Sequence, residues 1–261
     1  MLQQRRIGVA IPAFNEEAAI ARVIEDLPTW VDTIVVADNG SSDNTADVAR
    51  AAGAKIVSES ERGYGAACLA AIAELEDTDI IVFVDGDYSD YPEDAADLVE
   101  PILDGRADLV IGSRTLGKAE KGALTPQQVF GNWLATRLIA LIWGQQFTDL
   151  GPFRAIRTAA LAEMAMRDRN FGWTVEMQIK AAQMGLRCEE RAVRYRKRIG
   201  QSKISGTIQG TIRAGTKIIG LIVWSAMRPA TPRNPTNQDR QRLKSGRGQT
   251  PEPALNSTPR N

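Results

Sequence analysis

The 261-residue chain contains no histidine. That removes the commonest general base, the commonest zinc ligand and every histidine-containing triad. Chemistry must run on carboxylates, on a cation held by oxygen, or on basic side chains. Cysteine is nearly absent too. Cys68 and Cys188 are the only two, each inside an apparent regular element, which predicts free thiols and a reducing, cytoplasmic compartment. No apolar run reaches the roughly 18 residues a membrane-spanning helix requires, and the run after Met1 is interrupted too early for a secretory leader. The first apolar run leads into "AIPAFNEEAAI", which lacks the GxGxxG fingerprint, and no GxxxxGK[ST] loop occurs. A nucleotide here must be held by another arrangement.

The formal charge of zero conceals an asymmetry. From Arg228 to Asn261 there are seven basic residues and two acidic ones, in a stretch rich in Pro, Asn, Arg, Gly and Ser. This composition predicts a disordered basic tail over 228–261, either solvated or drawn to anionic lipid. Between Arg191 and Lys203 the segment "RAVRYRKRIGQSK" has six basic residues and no acidic one. A solvated face, a phosphate clamp and a nucleic-acid patch are all compatible with it, the last being the weakest reading.

The first half alternates strand-like apolar runs ("IGVAIPA", "TIVVAD", "AKIVSE", "DIIVFVD", "DLVIGS") with helix-like stretches ("EEAAIARVIEDL", "DNTADVARAA", "GAACLAAIAEL", "PEDAADLVEPIL"). Continuous apolar strands between helices imply an α/β, Rossmann-like architecture with a mostly parallel central sheet covered on both faces. This half ends near Ser113. In the second half, "TPQQVFGNWLATRLIALIWG" predicts a helix opening near Pro126, two more helices follow through Gly185, and "LRCEERAVRYRKR" alternates as a strand would. Ile204, Ile208, Ile212, Ile219 and Ile222 form the stripe of a last long helix over Lys203–Met227. A domain over 1–227 is expected, with a nucleotide-sugar-binding half (1–113) and an acceptor-side half (114–227).

In open parallel sheets ligands sit beyond the carboxyl ends of the strands. Three polar groups fall there: "PAFNEE", "DNGSSD" and "DGD". Asp38, Asp85 and Asp87 are thereby expected in one crevice. Asp85 and Asp87, separated by Gly86, make a hard-cation site for Mg2+ or Mn2+ that leaves places for substrate phosphates. An acidic turn using the freedom of Gly86 is the plainer alternative. Gly63 and Gly65 in "ERGYGAACL" either allow close approach to a ligand at a helix start or mark a simple turn. Arg114 in "GSRT" and Arg154 in "GPFR" add cations beside other elements, where a departing diphosphate needs them.

These segments, with "RGYGAACLAAI", "VFVDGDYSDYPED" and "TDLGPFRAI" in this order, resemble family 2 glycosyltransferases of the GT-A fold, and most of all their dolichyl-phosphate mannose and glucose synthase-like branch. The resemblance spans Ile7 to about Met227. It implies inverting transfer of a hexose from a nucleotide-diphosphate sugar, UDP-glucose or GDP-mannose, to a polyprenyl phosphate. Pro12, Ala13, Asn15 and Glu16 then line the nucleoside, and Asp38 meets the base. Asp85 and Asp87 hold the metal and the diphosphate. Arg114 lies beside the sugar or phosphate, and Asp149 lies near the transferred sugar and the acceptor. Arg198, Ser202 and Lys203 close over phosphate groups.

The pattern departs from the family in three places. Ser89 stands where glutamine is common, leaving water or Asp90 to complete the metal. A single acid, Asp38, precedes the Gly-Ser pair. Tyr64 replaces a frequent lysine.

Two enzyme readings remain open on the sequence. A phosphate acceptor is already anionic and needs no base, with Arg198 and Lys203 holding it. A hydroxyl acceptor needs a carboxylate base, Asp149 first and Glu176 behind it. Val129, Phe130, Trp133 and Ile139 would guide a lipid or simply pack on the core. A nucleotidyltransferase is disfavoured by the missing glycine- and lysine-rich opening loop. A cytoplasmic enzyme, with peripheral contact to the cytoplasmic face of a membrane, is the expected setting.

Overall fold

The computed structural model describes residues 2–200 and 208–227, apart from the side chains of 208–214. Ser202, Lys203 and the basic tail lie outside the described residues, as does the second compact unit, Pro232–Asn261.

The apolar runs of the first half become β1 (Ile7–Ala13), β2 (Thr33–Asp38), β3 (Lys55–Ser58) and β4 (Ile80–Phe83). They alternate with α1 (Ile20–Glu25), α2 (Thr45–Ala51) and α3 (Tyr64–Ala73). A short 3-10 turn at Pro92–Asp94 then leads into α4 (Ala95–Leu103) and β5 (Leu109–Ala119). In the second half come α5 (Pro126–Trp143), β6 (Arg154–Arg157), α6 (Thr158–Met164), α7 (Trp173–Gln183), β7 (Cys188–Tyr195) and α8 (Ile208–Ala226).

The seven strands form one sheet in the order β3-β2-β1-β4-β6-β5-β7. All pairs are parallel except those of β6, which runs antiparallel to both β4 and β5. The expected α/β, mostly parallel architecture is therefore present. β6 lies between β4 and β5, so the first four strands and the β5–β7 pair belong to one hydrogen-bonded sheet.

Strand alternation sorts the core into two layers. Ala10, Val35, Ile81 and Phe83 pack with α3, α5, α6 and α7 on one face. Val9, Ile11, Val36, Ile80 and Val82 pack with α1, α2 and α4 on the other. Truncating Ile81, Phe83, Ile11 or Ile80 to alanine costs about 2–5 kcal/mol.

The start of α5 shows how local sequence sets a boundary. Thr125 Oγ1 accepts a bond from the Gln128 amide (3.3 Å) and Gln128 Oε1 accepts one from the Thr125 amide (2.8 Å). Pro126 fills the first helical position, where no amide donor is needed. Gly144 ends the helix at φ 74°. Cys68 and Cys188 are both free, as their usage predicted.

Candidate active site

The carboxyl ends of β1 and β4 open onto a cleft of about 310 Å3. Pro12, Ala13 and Glu16 form one wall; Asp85, Gly86 and Asp87 form the floor. Neighbouring parallel strands place these loops side by side, as the register of Ala10 on Phe83 requires. Gly86 fits tightly, since a Cβ there would lie 3.3 Å from the Pro12 carbonyl oxygen.

Asp85 Oδ1 accepts a bond from the Tyr64 hydroxyl at 2.9 Å. Asp87 Oδ1 accepts from the Ser89 amide (2.9 Å) and hydroxyl (2.6 Å). The serine at the usual glutamine position thus holds Asp87 itself. Asp90 is fully buried behind the pair, and its Oδ1 has no hydrogen-bond partner. Burial, reinforced by the Asp87 charge, pushes the Asp85 carboxyl up to about 7. Burial and then the charges of Asp85 and Asp87 push Asp90 well above the usual carboxylate range. Three crowded carboxyls, one with an orphan oxygen, fit a divalent cation. No group of three or more His, Cys, Asp or Glu among the described residues is arranged to hold a metal alone. Asp85 and Asp87 would be the protein ligands, with substrate oxygens and water as the remainder.

The segment leaving β7 clamps this loop. The Arg196 and Ile199 amides donate to the carbonyls of Ser89 and Asp87, both at 2.9 Å. Alternate arginines then divide the work. Arg194 pairs with Asp94 and stacks on Tyr91. Arg196 stacks on Tyr88 at 3.3 Å and donates to the carbonyls of Tyr88 (2.7 Å) and Asp90 (3.0 Å). Arg198 enters the cleft, with Nη1 3.1 Å from Asp87 Oδ2 and Nη2 2.9 Å from Glu16 Oε1. Of the three arginines that follow Ala192 and Val193, one lines the cleft and two hold the acidic loop in place.

Several expected site residues serve elsewhere. Asp38 is not in the cleft lining; its Oδ1 accepts from the Ser41 amide at 3.1 Å. The neighbouring Asn39 lines the cleft instead, bonded to the carbonyls of Glu59 and Glu61 and to the Gly63 amide. Asn15, at φ 53°, accepts from the Ser42 amide at 2.8 Å and so shapes the wall without lining it. Asp149 is buried and accepts three bonds from Arg114: from its amide (2.8 Å), Nε (2.8 Å) and Nη2 (2.7 Å). Burial works against the Arg114 charge, but this pairing overrides it and raises its pKa. Asp149 therefore holds Arg114, with both of its carboxylate oxygens engaged.

Glu176 accepts from the Arg167 and Asp168 amides and pairs with Lys180, fixing the 167–168 turn. Arg154 is fully buried, its guanidinium donating to the carbonyls of Leu150, Gly151 and Thr174, so it meets no phosphate. Trp133 is exposed on α5, tilted against Phe130 with ring centroids 5.9 Å apart, and Val129 is exposed beside them. Ile139, by contrast, is in the core.

Gly63 and Gly65 make close approach to chain rather than ligand alone. A Cβ on Gly63 would lie 2.0 Å from the Arg169 carbonyl oxygen, and one on Gly65 would lie 1.9 Å from that of Asp168. The Ala66 amide donates to the Arg169 carbonyl at 2.9 Å. This interlock carries Asn170 and Phe171 to the cleft wall. Phe14, with Arg62 stacked on its ring at 3.9 Å, and Tyr64 complete the lining. The sequence reading missed all of these except Tyr64. The glycines were the available signal, and neither an approach to a ligand nor a simple turn, the two readings they offer, foretells a partner backbone at 168–169.

Residues 8–164 match the family described as "Glycosyl transferase family 2". A Mycobacterium tuberculosis protein described only as a glycosyltransferase is 34% identical over 218 residues, covering 80% of this chain and 94% of the relative. A Haloferax volcanii protein described as a dolichyl-phosphate hexose transferase is 29% identical over 227 residues, covering 85% and 96%. Among solved structures, the M. tuberculosis glucosyl-3-phosphoglycerate synthase with Mn2+, UDP-glucose and phosphoglyceric acid superposes with TM-score 0.69 at 24% identity, covering 87% of this chain and 81% of that one. The same synthase with Mn2+, UDP and glucosyl-3-phosphoglycerate superposes at 0.67. These structural neighbours overturn the expected placement in the dolichyl-phosphate branch, and the 29% relative does not restore it. With the family match extending over more than half of its length, the chain belongs to glycosyl transferase family 2.

Proposed function

We propose that the protein transfers a hexose from a UDP-sugar, with UDP-glucose as the leading donor, to a small phosphorylated acceptor, inverting the anomeric centre. The observation that carries this reading is the cleft itself, where Asp85 and Asp87 face the Arg198 guanidinium. Carboxylates for a hard cation and a guanidinium for phosphate are the two halves of a diphosphate site. The structural neighbours that bind Mn2+ and UDP-glucose support the choice of donor and of Mn2+ or Mg2+. When bound between Asp85, Asp87 and the donor, the cation supplies charge neutralisation for the departing diphosphate.

The chain's own residues do the rest. Tyr64 and Ser89 orient the two carboxylates. Arg198 contributes a cation inside the cleft, where low solvent access strengthens its pull on phosphate oxygens. Arg114, outside the residues that line the cleft, is locked by Asp149 and lies against the Tyr195 ring (5.1 Å). The carboxylates lining the cleft are Glu16, Asp85 and Asp87; each is partnered or assigned to the cation. The hydroxyl proton of the acceptor therefore passes to a phosphate oxygen of the reactants, and a phosphorylated acceptor provides one.

The test incubates purified protein and Mn2+ with UDP-glucose and, in separate reactions, 3-phosphoglycerate, glycerol 3-phosphate, glycerate and a short polyprenyl phosphate. Products are read by mass and by anomeric NMR. Glucosylation of the small phosphorylated compounds with inverted configuration is expected. Turnover confined to the polyprenyl phosphate, or equal turnover of glycerate, would reject the proposed acceptor class.

A further inference from the structure

Two arginines line the cleft, Arg62 and Arg198. Arg198 is already paired with Glu16 and Asp87. Arg62 has no such partner: no carboxylate among the described residues pairs with it, and its guanidinium carbon lies 3.9 Å from the Phe14 ring centroid. The acids nearest to it in sequence are taken, since Glu59 and Glu61 both pair with Arg169. A Cβ on Gly40 would lie 3.6 Å from the same guanidinium carbon. The group is thus held between the chain leaving β1 and the chain leaving β2, with its donors unengaged.

Asn170 stands beside it. Its Cγ would lie 3.3 Å from a Cβ on Gly63, and its side-chain amide has no hydrogen-bond partner among the described residues. The other polar side chains of the lining are engaged. Asn39 holds the Glu59 and Glu61 carbonyls and the Gly63 amide, and Tyr64 donates to Asp85. Arg62 and Asn170 are therefore the lining side chains left to meet a ligand's polar edge.

Strand spacing says which part of the ligand that is. β1 lies between β2 and β4, and neighbouring strands stand about 4.8 Å apart, so the end of β2 is about 10 Å from the end of β4 that carries Asp85 and Asp87. The cleft lining runs that way, through Phe14, Asn39 and Arg62, and includes no residue of β5 or β6. A diphosphate anchored at Asp85 and Asp87 would reach this end with a ribose and its base. Phe14, Phe171 and a stacked guanidinium offer flat surfaces to a flat ring.

We infer that Arg62 and Asn170 read the base of the donor nucleotide and select uracil. The inference rests on the donor site proposed above and names the specificity of that same site. A guanidinium only donates, whereas a carboxamide donates and accepts. Uracil presents two carbonyl oxygens with one N–H between them, which match Arg62 donors and the Asn170 oxygen. Cytosine replaces one of those oxygens with an amino group and the N–H with a bare acceptor nitrogen, so a donor would face a donor.

The test is calorimetric titration of UDP and of CDP, each with Mn2+, into the full wild-type chain, Arg62→Met and Asn170→Ala. Arg62 is exposed and unpaired, so its replacement should leave the melting temperature nearly unchanged. The wild type should bind UDP at least about tenfold more tightly than CDP. Each variant should bring that ratio to within about threefold, by weakening UDP and sparing CDP. An unchanged ratio in Arg62→Met would overturn the inference and leave the donor site standing. Equal weakening of both nucleotides would also overturn it, by assigning the arginine to phosphate. A wild-type chain that binds neither nucleotide would overturn the donor site, and the base reading with it.

Discussion

A methyl group on Gly65 would stand 1.9 Å from the Asp168 carbonyl oxygen and within 2.9 Å of two backbone carbons, so no side-chain rotation can relieve it. Real contacts of this kind begin at 3.0 Å, and the 168–169 backbone would have to retreat by about 1.1 Å. The retreat breaks the 2.9 Å bond from the Ala66 amide to the Arg169 carbonyl. It also drags Asn170 and Phe171 off the cleft wall. Overpacking of this order costs about 1–3 kcal/mol, which lowers the melting temperature by roughly 3–10 °C for a chain of this size. A shift of ~1 Å in a wall that positions substrate lowers kcat/KM by about 100-fold. Differential scanning fluorimetry and donor-dependent kinetics on Gly65→Ala measure both effects. If that glycine served only the ligand, donor affinity would fall while stability stayed at the wild-type value. Unchanged stability would therefore refute the interlock.

Asp149→Asn keeps the side-chain shape but cannot accept the paired bonds from Arg114, so it should cost about 3 kcal/mol of stability and on the order of 100-fold in kcat. The shape of its pH–rate profile should stay that of the wild type; loss of a basic limb would identify Asp149 as the base after all. In the absence of divalent metal, stability should fall as pH rises from about 4 to about 7. Folded Asp85 keeps its proton up to about 7, whereas the unfolded carboxyl loses it near 3.9, so the native state binds more protons in that window, worth up to about 4 kcal/mol. Asp85→Asn should flatten the slope, and Mn2+ should raise the melting temperature more at pH 7.5 than at pH 5. A wild-type slope in the variant would place the titration elsewhere.

The meeting of the strand-end loops in one cleft was legible because it is local. Apolar runs end in acidic loops, and parallel pairing brings those loops together, as Pro12, Ala13, Asp85 and Asp87 show. What was misread depends on partners distant in the chain. Gly63 and Gly65 answer to a backbone about a hundred residues later. β6 is four residues long, too short for a periodic signal, and its leading Arg154 reads as a surface cation although it is fully buried. Asp38 and Asn39 are adjacent, so alternation alone decides which one faces the cleft. A helical stripe shows that α5 has apolar residues, but not that Val129, Phe130 and Trp133 are on its outer side. The branch was misassigned because the recognised motifs chiefly line the cleft and clamp its floor, parts a family shares whatever its acceptor.

Calorimetric titration of UDP-glucose into the wild-type protein and into Asp87→Asn, each with Mn2+ and with a chelator, addresses the central claim directly. Tight binding is expected only for the wild type with Mn2+, with a loss of at least about 30-fold on removing either the metal or the Asp87 carboxylate. Equal affinity in all four titrations would show that the cleft between Asp85, Asp87 and Arg198 is not the site of the donor diphosphate.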